Sequence, residues 1–191
     1  MKVLHACVML TAVVFGSMVL AACSTTGTTG GTTSANTTST HGNGVTVTPG
    51  DTSLCDIISL SEFNQAVGGG VTKLNKSSVA SSGGVQVNCA YLPSGVSGGS
   101  GGIIFAVTSN GPTFYAHAKQ DEQGSLNSMN DLSGVGDAAF WGTDVGSDDI
   151  LNLDMLKDNV VVGITMDGSA ADGSAYLPAA EQMAREIAAK L

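Results

Sequence analysis

The segment ILNLDMLKDNVVVGITM, residues 150–166, predicts a β-hairpin on which the fold is built. Two apolar stretches, Ile150–Leu156 and Val160–Met166, are separated by the dipeptide Asp158-Asn159. Aspartate and asparagine tolerate the left-handed backbone conformation that a tight two-residue turn needs. The two stretches are therefore expected to pair as antiparallel strands.

Further apolar segments extend this sheet. Between residues 85 and 91, apolar side chains occupy alternate positions: Val85, Val87, Cys89 and Tyr91. A period of two indicates a half-buried strand, and it points Cys89 inward. The other predicted strands are Val71–Val79, Ile103–Thr108 and Ala138–Trp141.

Three helices are predicted around these strands. The first begins at the capping box Ser59-Leu60-Ser61-Glu62 and ends before Gly68. The second runs from Asn110-Gly111-Pro112 to Gln123, and the third begins near Pro178. The element order is helix, three strands, helix, three strands, helix. This order predicts an α+β fold, with an antiparallel sheet that carries its helices on one face.

The first 22 residues have the features of a bacterial lipoprotein signal peptide. Lys2 precedes the apolar run Val8–Leu20, and the small residues Ala21-Ala22 lead directly to Cys23. The Cys23 thiol can carry a thioether-linked diacylglycerol, so we expect lipidation there and a place on the extracytoplasmic face of the cell membrane. An ordinary cleaved secretory signal with a coincidental cysteine is the alternative.

Residues 23–50 are predicted to be a flexible tether, and residues 51–191 a single globular domain. The tether consists almost entirely of Thr, Ser, Gly and Asn, which cannot build a core. As a random coil it would reach roughly 30 Å from the membrane.

Charge disfavours nucleic acid as a partner. The chain has 7 Lys and Arg and 16 Asp and Glu residues, and removal of the leader with Lys2 leaves 6 basic residues and a formal charge of −10. Nucleic acid and anionic lipid head groups are attracted by clustered basic residues, whereas the basic residues here are scattered. The expected membrane contact is the lipid anchor alone.

Cys55 and Cys89 are expected to form a disulfide bond. They are the two cysteines that remain once the leader is removed and Cys23 is lipidated, and an extracytoplasmic compartment permits disulfides. A metal site is the rival interpretation, but no histidine is near either thiol in the sequence. Catalytic thiol chemistry is weakly supported, because the two are not arranged as Cys-x-x-Cys.

Catalytic and metal-binding patterns are weak. Residues 95–99, GVSGG, match the G-x-S-x-G nucleophile motif around Ser97, but a strand follows the serine where the motif needs a helix, so a hairpin loop is favoured. After processing, the possible bases are His41, in the tether, and His117, which is expected on the helix surface.

The carboxylates of Asp144, Asp148 and Asp149 could bind a cation, but a solvated acidic turn is the simpler interpretation. No metal, cofactor or catalytic residue is predicted.

Aromatic residues offer a candidate ligand site. Tyr91, Phe105 and Trp141, together with Phe140, could line an apolar cavity between sheet and helices. Residues of this type more often fill a core. The sequence does not separate a filled core from a hollow one.

Several short motifs carry a resemblance to a known family. They are Cys55, LSEF at 60–63, VNCAY at 87–91 and SGVGDAAFW at 133–141. With them the chain resembles actinobacterial cell-envelope lipoproteins, of the mycobacterial type, of an uncharacterised domain family. The resemblance implies a paired Cys55 and Cys89 and carries over no catalytic residue. The glycines of Gly134-Val135-Gly136-Asp137 predict a turn at positive φ in which Asp137 bonds nearby amides.

These observations favour a non-enzymatic, lipid-anchored envelope protein that binds a small apolar ligand or another envelope protein. A serine-dependent hydrolase that uses Ser97 is one alternative. A purely structural or surface-antigen lipoprotein is the other.

Overall fold

A seven-stranded antiparallel sheet lies at the centre of the computed structural model, which describes residues 39–40, 45–93, 99–168 and 172–191. A separate two-stranded ladder joins β1 (Ser39–Thr40) and β2 (Thr46–Val47). The strands of the large sheet are β3 (Val71–Ser81), β4 (Gly84–Pro93), β5 (Ser100–Thr108), β6 (Asn130–Leu132), β7 (Ala138–Asp144), β8 (Ser147–Lys157) and β9 (Val160–Asp167). They are arranged in the order β3-β4-β5-β9-β8-β7-β6.

Three α-helices and two 3₁₀ turns complete the described structure. The helices are α1 (Leu60–Ala66), α2 (Gly111–Glu122) and α3 (Leu177–Lys190). The 3₁₀ turns are Ser53–Asp56, before α1, and Gly173–Tyr176, before α3. In the described part of the chain, no helix is both long and apolar enough to cross a membrane.

The predicted hairpin is confirmed. Lys157 pairs with Val160, and Asp158 in the turn between them adopts a φ of 53°. A left-handed conformation is uncommon for a residue with a side chain but accessible to aspartate. The second strand of this hairpin, β9, also pairs with β5, so the hairpin joins the two halves of the sheet.

The element order differs from the prediction by one strand. β6 pairs with β7 at the edge of the sheet, so four strands, where three were expected, lie between α2 and α3. The reason is local: Asn130–Leu132 is only three residues long, and two of these are polar and exposed. Such a strand gives no hydrophobic alternation to detect.

The helices lie on both faces of the sheet, which corrects the predicted arrangement on one face. A large core on the front face joins α1 and α3 to side chains such as Phe105, Met155 and Val162. A smaller core on the back face packs Tyr115 of α2 against neighbours that include Phe140 and Val161. Because successive side chains of a strand point to opposite faces, Val161 and Val162 cannot belong to the same layer.

Part of the predicted tether belongs to the folded structure. Val47 is 2% exposed and packs in the front-face core, with Val45 half-buried against it. The packed part of the chain therefore begins before residue 51. Residues 1–38, which include Cys23 and the predicted signal peptide, lie outside the described residues.

The helical segment around α1 is joined to β4 by three contacts. The predicted disulfide between Cys55 and Cys89 is present, with the Cα atoms 5.4 Å apart. The Tyr91 hydroxyl donates a hydrogen bond to the Ile58 carbonyl oxygen at 2.8 Å. The ring of Phe63 stacks on that of Tyr91, with the centroids 3.9 Å apart. All five side chains are buried, so this junction is part of the front-face core.

The glycine turn before β7 has the predicted form. Gly134 and Gly136 adopt φ values of 74° and 56°. The Asp137 carboxylate accepts a hydrogen bond from the Asp158 amide at 2.6 Å, and the Asp137 amide donates to the Leu156 carbonyl at 2.8 Å. The turn is thus held against the end of the central hairpin.

Alanine substitutions at the two glycines should differ in cost. A Cβ at Gly136 would lie 2.4 Å from the Leu156 carbonyl oxygen, whereas a Cβ at Gly134 would meet no atom within 4 Å. Gly134→Ala should lower the free energy of unfolding by about 1 kcal/mol, because alanine must adopt a positive φ there. Gly136→Ala must also displace backbone, so we expect a loss of about 3 kcal/mol or more in the free energy of unfolding. Urea unfolding of both variants measures the difference, and equal losses would contradict this interpretation.

Candidate functional site

A groove between α1 and α3 on the front face is the first candidate site. Its volume is about 350 Å³. The lining residues are Ile58, Glu62, Gln65, Ala66, Ala179, Gln182, Met183 and Glu186. Four of them are apolar and four are polar, and no basic residue is among them. The groove therefore offers an apolar surface with hydrogen-bonding groups at its borders.

The wall formed by α1 is fixed at both ends. At its start, the Ser59 hydroxyl accepts a hydrogen bond from the Glu62 amide at 3.2 Å, and the Glu62 carboxylate accepts one from the Ser59 amide at 2.6 Å. This reciprocal pair is the predicted capping box, which satisfies two amides that the helix itself cannot. After the helix, the Asn64 side-chain oxygen accepts a hydrogen bond from the Val71 amide at 2.7 Å.

The rim of the groove is negatively charged. Hydrogen bonds from Ser59 hold the pKa of Glu62 below its ordinary value, so this carboxylate stays ionised. Glu186 is paired with Lys190, whose ammonium also donates to the Ile57 carbonyl oxygen at 3.1 Å. Glu62 makes no salt bridge with a described residue, although the Lys190 charge also helps to lower its pKa.

A second cleft lies beside Trp141, where the ends of β7 and β8 meet the 3₁₀ turn before α3. Its volume is about 540 Å³. It is lined by Ser128, Trp141, Thr143, Asp148, Asp172 and Ser174. This lining is mainly polar and contains two carboxylates and one indole.

The three aromatic residues predicted to line a cavity all belong to the front-face core or pack against it. Tyr91 and Phe105 are 0% and 1% exposed and belong to the filled front-face core. Neither lines the α1–α3 groove or the Trp141 cleft. Trp141 is half-buried and borders the second cleft.

An unusual carboxylate lies on the back face, beneath α2. Asp154 stands in β8 between Phe140 of β7 and Gly163 of β9. A Cβ at Gly163 would approach the Asp154 Oδ1 atom to 3.2 Å, so the glycine leaves room for the carboxylate. Burial, and then the charge of Glu122 on α2, raise the pKa of Asp154 from 3.8 to about 7. Burial and the Asp154 charge in turn raise the pKa of Tyr115.

The remaining predicted site residues are dispersed. His117 is exposed on α2, as expected, while Ser97 and His41 lie outside the described residues. Asn127 donates hydrogen bonds from its side chain to the Asp144 carbonyl oxygen and to the Asp148 carboxylate, which ties this acidic turn to the protein. Within the described ranges, no three His, Cys, Asp or Glu side chains are placed to hold a metal ion.

Sequence reasoning missed most of the groove. Glu62 was identified only as a capping residue, and Gln65 and Gln182 carried no signal of their own. These residues line one groove because α1 and α3 pack on the same face of the sheet. No local sequence pattern predicts that packing.

Comparison of the chain with protein-family models, with curated proteins and with solved structures finds no match.

Asp154 should make stability fall as the pH rises from about 4 to about 7. In this range the folded protein holds a proton that the unfolded chain has released, because the folded pKa is about 7 and the ordinary value is 3.8. We expect Asp154→Asn to remove this slope and to raise the free energy of unfolding at pH 8 by about 1–2 kcal/mol. This gain is about half of the full linkage value, because Asp154 is half-buried and solvent screens part of its charge.

Urea unfolding between pH 3.5 and 8 measures this effect. Asp121→Asn, an exposed carboxylate next to Glu122 on α2, is the matched control and should keep the wild-type slope. An Asp154→Asn protein with an unchanged pH profile would show that the carboxylate titrates at its ordinary pKa.

Proposed function

We propose that this protein is a lipoprotein anchored on the extracytoplasmic face of the cell membrane, and that its domain binds a small, largely apolar molecule in the α1–α3 groove. It acts by binding and not by catalysis. The observation that carries the proposal is the groove itself: an apolar floor between two helices, bordered by polar side chains.

The lining of the groove defines the ligand. Ile58, Ala66, Ala179 and Met183 provide apolar contact surface. Gln65 and Gln182 each offer an amide that can donate and accept hydrogen bonds. A volume of about 350 Å³ lies at the lower end of the range of small-molecule sites, about 300–1,000 Å³. The ionised Glu62 on the rim favours a neutral or cationic ligand over an anion.

Rigidity also supports binding at this place. The 3₁₀ turn before α1 is covalently linked to β4 through Cys55 and Cys89, and the Tyr91 hydroxyl donates a hydrogen bond to the carbonyl of Ile58, which itself lines the groove. A preformed site loses little conformational entropy when a ligand binds. An apolar side chain of another envelope protein could occupy the same groove, and the experiment below separates the two.

The anchor is proposed from the order of Lys2, the apolar run, Ala21-Ala22 and Cys23. Two acyl chains on Cys23 would hold the domain firmly, because each buried methylene contributes about 0.8 kcal/mol.

Groove binding is tested with N-phenyl-1-naphthylamine, a neutral apolar fluorophore, added to the mature chain. We expect a saturable rise in its fluorescence. Ala179→Leu places three additional carbon atoms in the groove without harming helix α3, and it should weaken binding about ten-fold or more. Ala189→Leu, an exposed position on the same helix, should leave binding unchanged.

If the wild type and Ala179→Leu bind the fluorophore equally, its binding site is not the α1–α3 groove. The partner-protein alternative would be favoured by two results together. The fluorophore would show no saturable binding, and cross-linking would recover one envelope protein from the wild type but not from Ala179→Leu.

The anchor is tested by growing the native host with radiolabelled palmitate. Label should enter the wild-type protein and be absent from Cys23→Ala. Equal labelling of the two proteins would remove Cys23 as the lipidated residue, and labelling of neither would leave the leader an ordinary secretory signal.

A further inference from the structure

Helix α2 depends on a small contact with the sheet. Its buried residues in the described structure are Gly111, Tyr115 and Ala118. It covers the back-face core, which is smaller than the front-face core that holds α1 and α3. An isolated helix of 12 residues is marginal in water, so α2 stays folded only while this one face is docked.

Asp154 places a carboxylate within this apolar contact. It lies opposite Phe140 in the β7–β8 pairing and opposite Gly163 in the β8–β9 pairing, and Leu156 follows on the same face of β8. Phe140 and Leu156 both belong to the back-face core. The Asp154 side chain is half-buried and forms no ion pair with a described residue. A charge in such surroundings is costly, and a proton removes it.

The helix brings a second negative charge to the same place. Glu122, the last residue of α2, is half-buried, and its charge acts on Asp154. Burial, then the charge of Asp144 on β7 and that of Asp121, raise the pKa of Glu122. Two carboxylates, one on the helix and one on the strand beneath it, therefore repel each other when both are ionised.

The other titratable groups described on the packed elements do not pair with Asp154. Lys119 of α2 forms its ion pair with Asp131 of β6. His117 is exposed on α2. Burial, then the charges of Asp154 and Asp131, raise the pKa of Tyr115, so this phenol stays neutral. The repulsion between the two carboxylates is thus not offset by an ion pair.

We infer that α2 is a pH-sensitive latch on the back face of the sheet. It is docked firmly while Asp154 holds a proton, and it opens more often, without unfolding of the sheet, once Asp154 is ionised beside Glu122. Opening exposes the apolar side chains of Phe140, Leu156 and Val161.

The direction of the effect follows from linkage between proton binding and docking. Burial, and then the Glu122 charge, raise the pKa of Asp154 from 3.8 to about 7 in the docked state, whereas an open helix returns it toward the ordinary value. The docked state therefore keeps a proton that the open state releases. Docking weakens as the pH rises from about 4 to about 7.

Native-state hydrogen exchange measures the opening of α2 separately from global unfolding. An amide that exchanges through a local opening is insensitive to low concentrations of urea, whereas one that needs global unfolding exchanges faster as urea is added. In the mature protein at pH 8, we expect the amides of residues 115–122 in α2 to show the first behaviour. The amides of the β8–β9 hairpin should show the second.

Three variants test the carboxylates, each compared with the wild type at one pH so that the chemical exchange rate of the amides cancels. Asp154→Asn should slow exchange of the α2 amides about ten-fold at pH 8. It should leave exchange unchanged at pH 3.5, where Asp154 is largely protonated in both states. Glu122→Gln removes only the repulsion and should slow exchange about three-fold at pH 8. Asp121→Asn, an exposed carboxylate next to Glu122, is the control and should match the wild type.

Each of three results would overturn the inference. Equal exchange of α2 in the wild type and Asp154→Asn at pH 8 would mean that the carboxylate does not weaken docking. A urea dependence shared by α2 and the hairpin would mean that the helix opens only with the whole domain. Equal slowing by Asp154→Asn at pH 3.5 and pH 8 would mean a packing effect rather than ionisation. If Asp154→Asn does not fold, Glu122→Gln and Asp121→Asn decide the question, and equal exchange in these two variants at pH 8 would contradict the latch.

Discussion

The covalent link between Cys55 and Cys89 determines where the first helix lies. The segment from Ser53 to Val67 forms no strand of the large sheet, so backbone pairing does not hold it there. Its position comes from the disulfide, from the hydrogen bond between Tyr91 and the Ile58 carbonyl, and from the stacking of Phe63 on Tyr91. In the chain-entropy model, closing a loop with a sequence separation of 34 stabilises the fold by about 4 kcal/mol.

The groove is a consequence of this link. α3 is held on the front face by its own apolar residues, Ala180, Met183, Ala184 and Ile187, which are 0–5% exposed. α1 is held on the same face by its junction with β4 and by the hydrogen bond that the Val71 amide of β3 donates to the Asn64 side chain. The space between the two helices therefore keeps its shape as long as Cys55, Tyr91 and Phe63 stay in place, while the Trp141 cleft, at the other end of the sheet, does not depend on them.

Local patterns allowed most elements to be predicted, and non-local packing explains what was missed. Three predictions succeeded because each depends only on residues close together in the sequence. They are the turn at Asp158-Asn159, the capping box at Ser59 and the strand alternation around Cys89. The run Val160–Val162 carried a further signal, since consecutive apolar residues indicate burial on both faces and hence a helix on the back. No local pattern of this kind indicates that α1 packs beside α3. The same holds for the position of Trp141, which packs against the front-face core and also borders a cleft.

Hydrogen exchange tests most directly whether the junction with β4 holds the α1 wall in place. The measurement compares backbone amides of the wild type with those of Cys55→Ala combined with Cys89→Ala. Loss of the disulfide should raise the exchange rates of the amides of Phe63 and Val67, which donate to the Ser59 and Phe63 carbonyls, while the amides of the β8–β9 hairpin stay protected. Unchanged protection of α1, or an equal loss in α1 and the hairpin, would contradict this account.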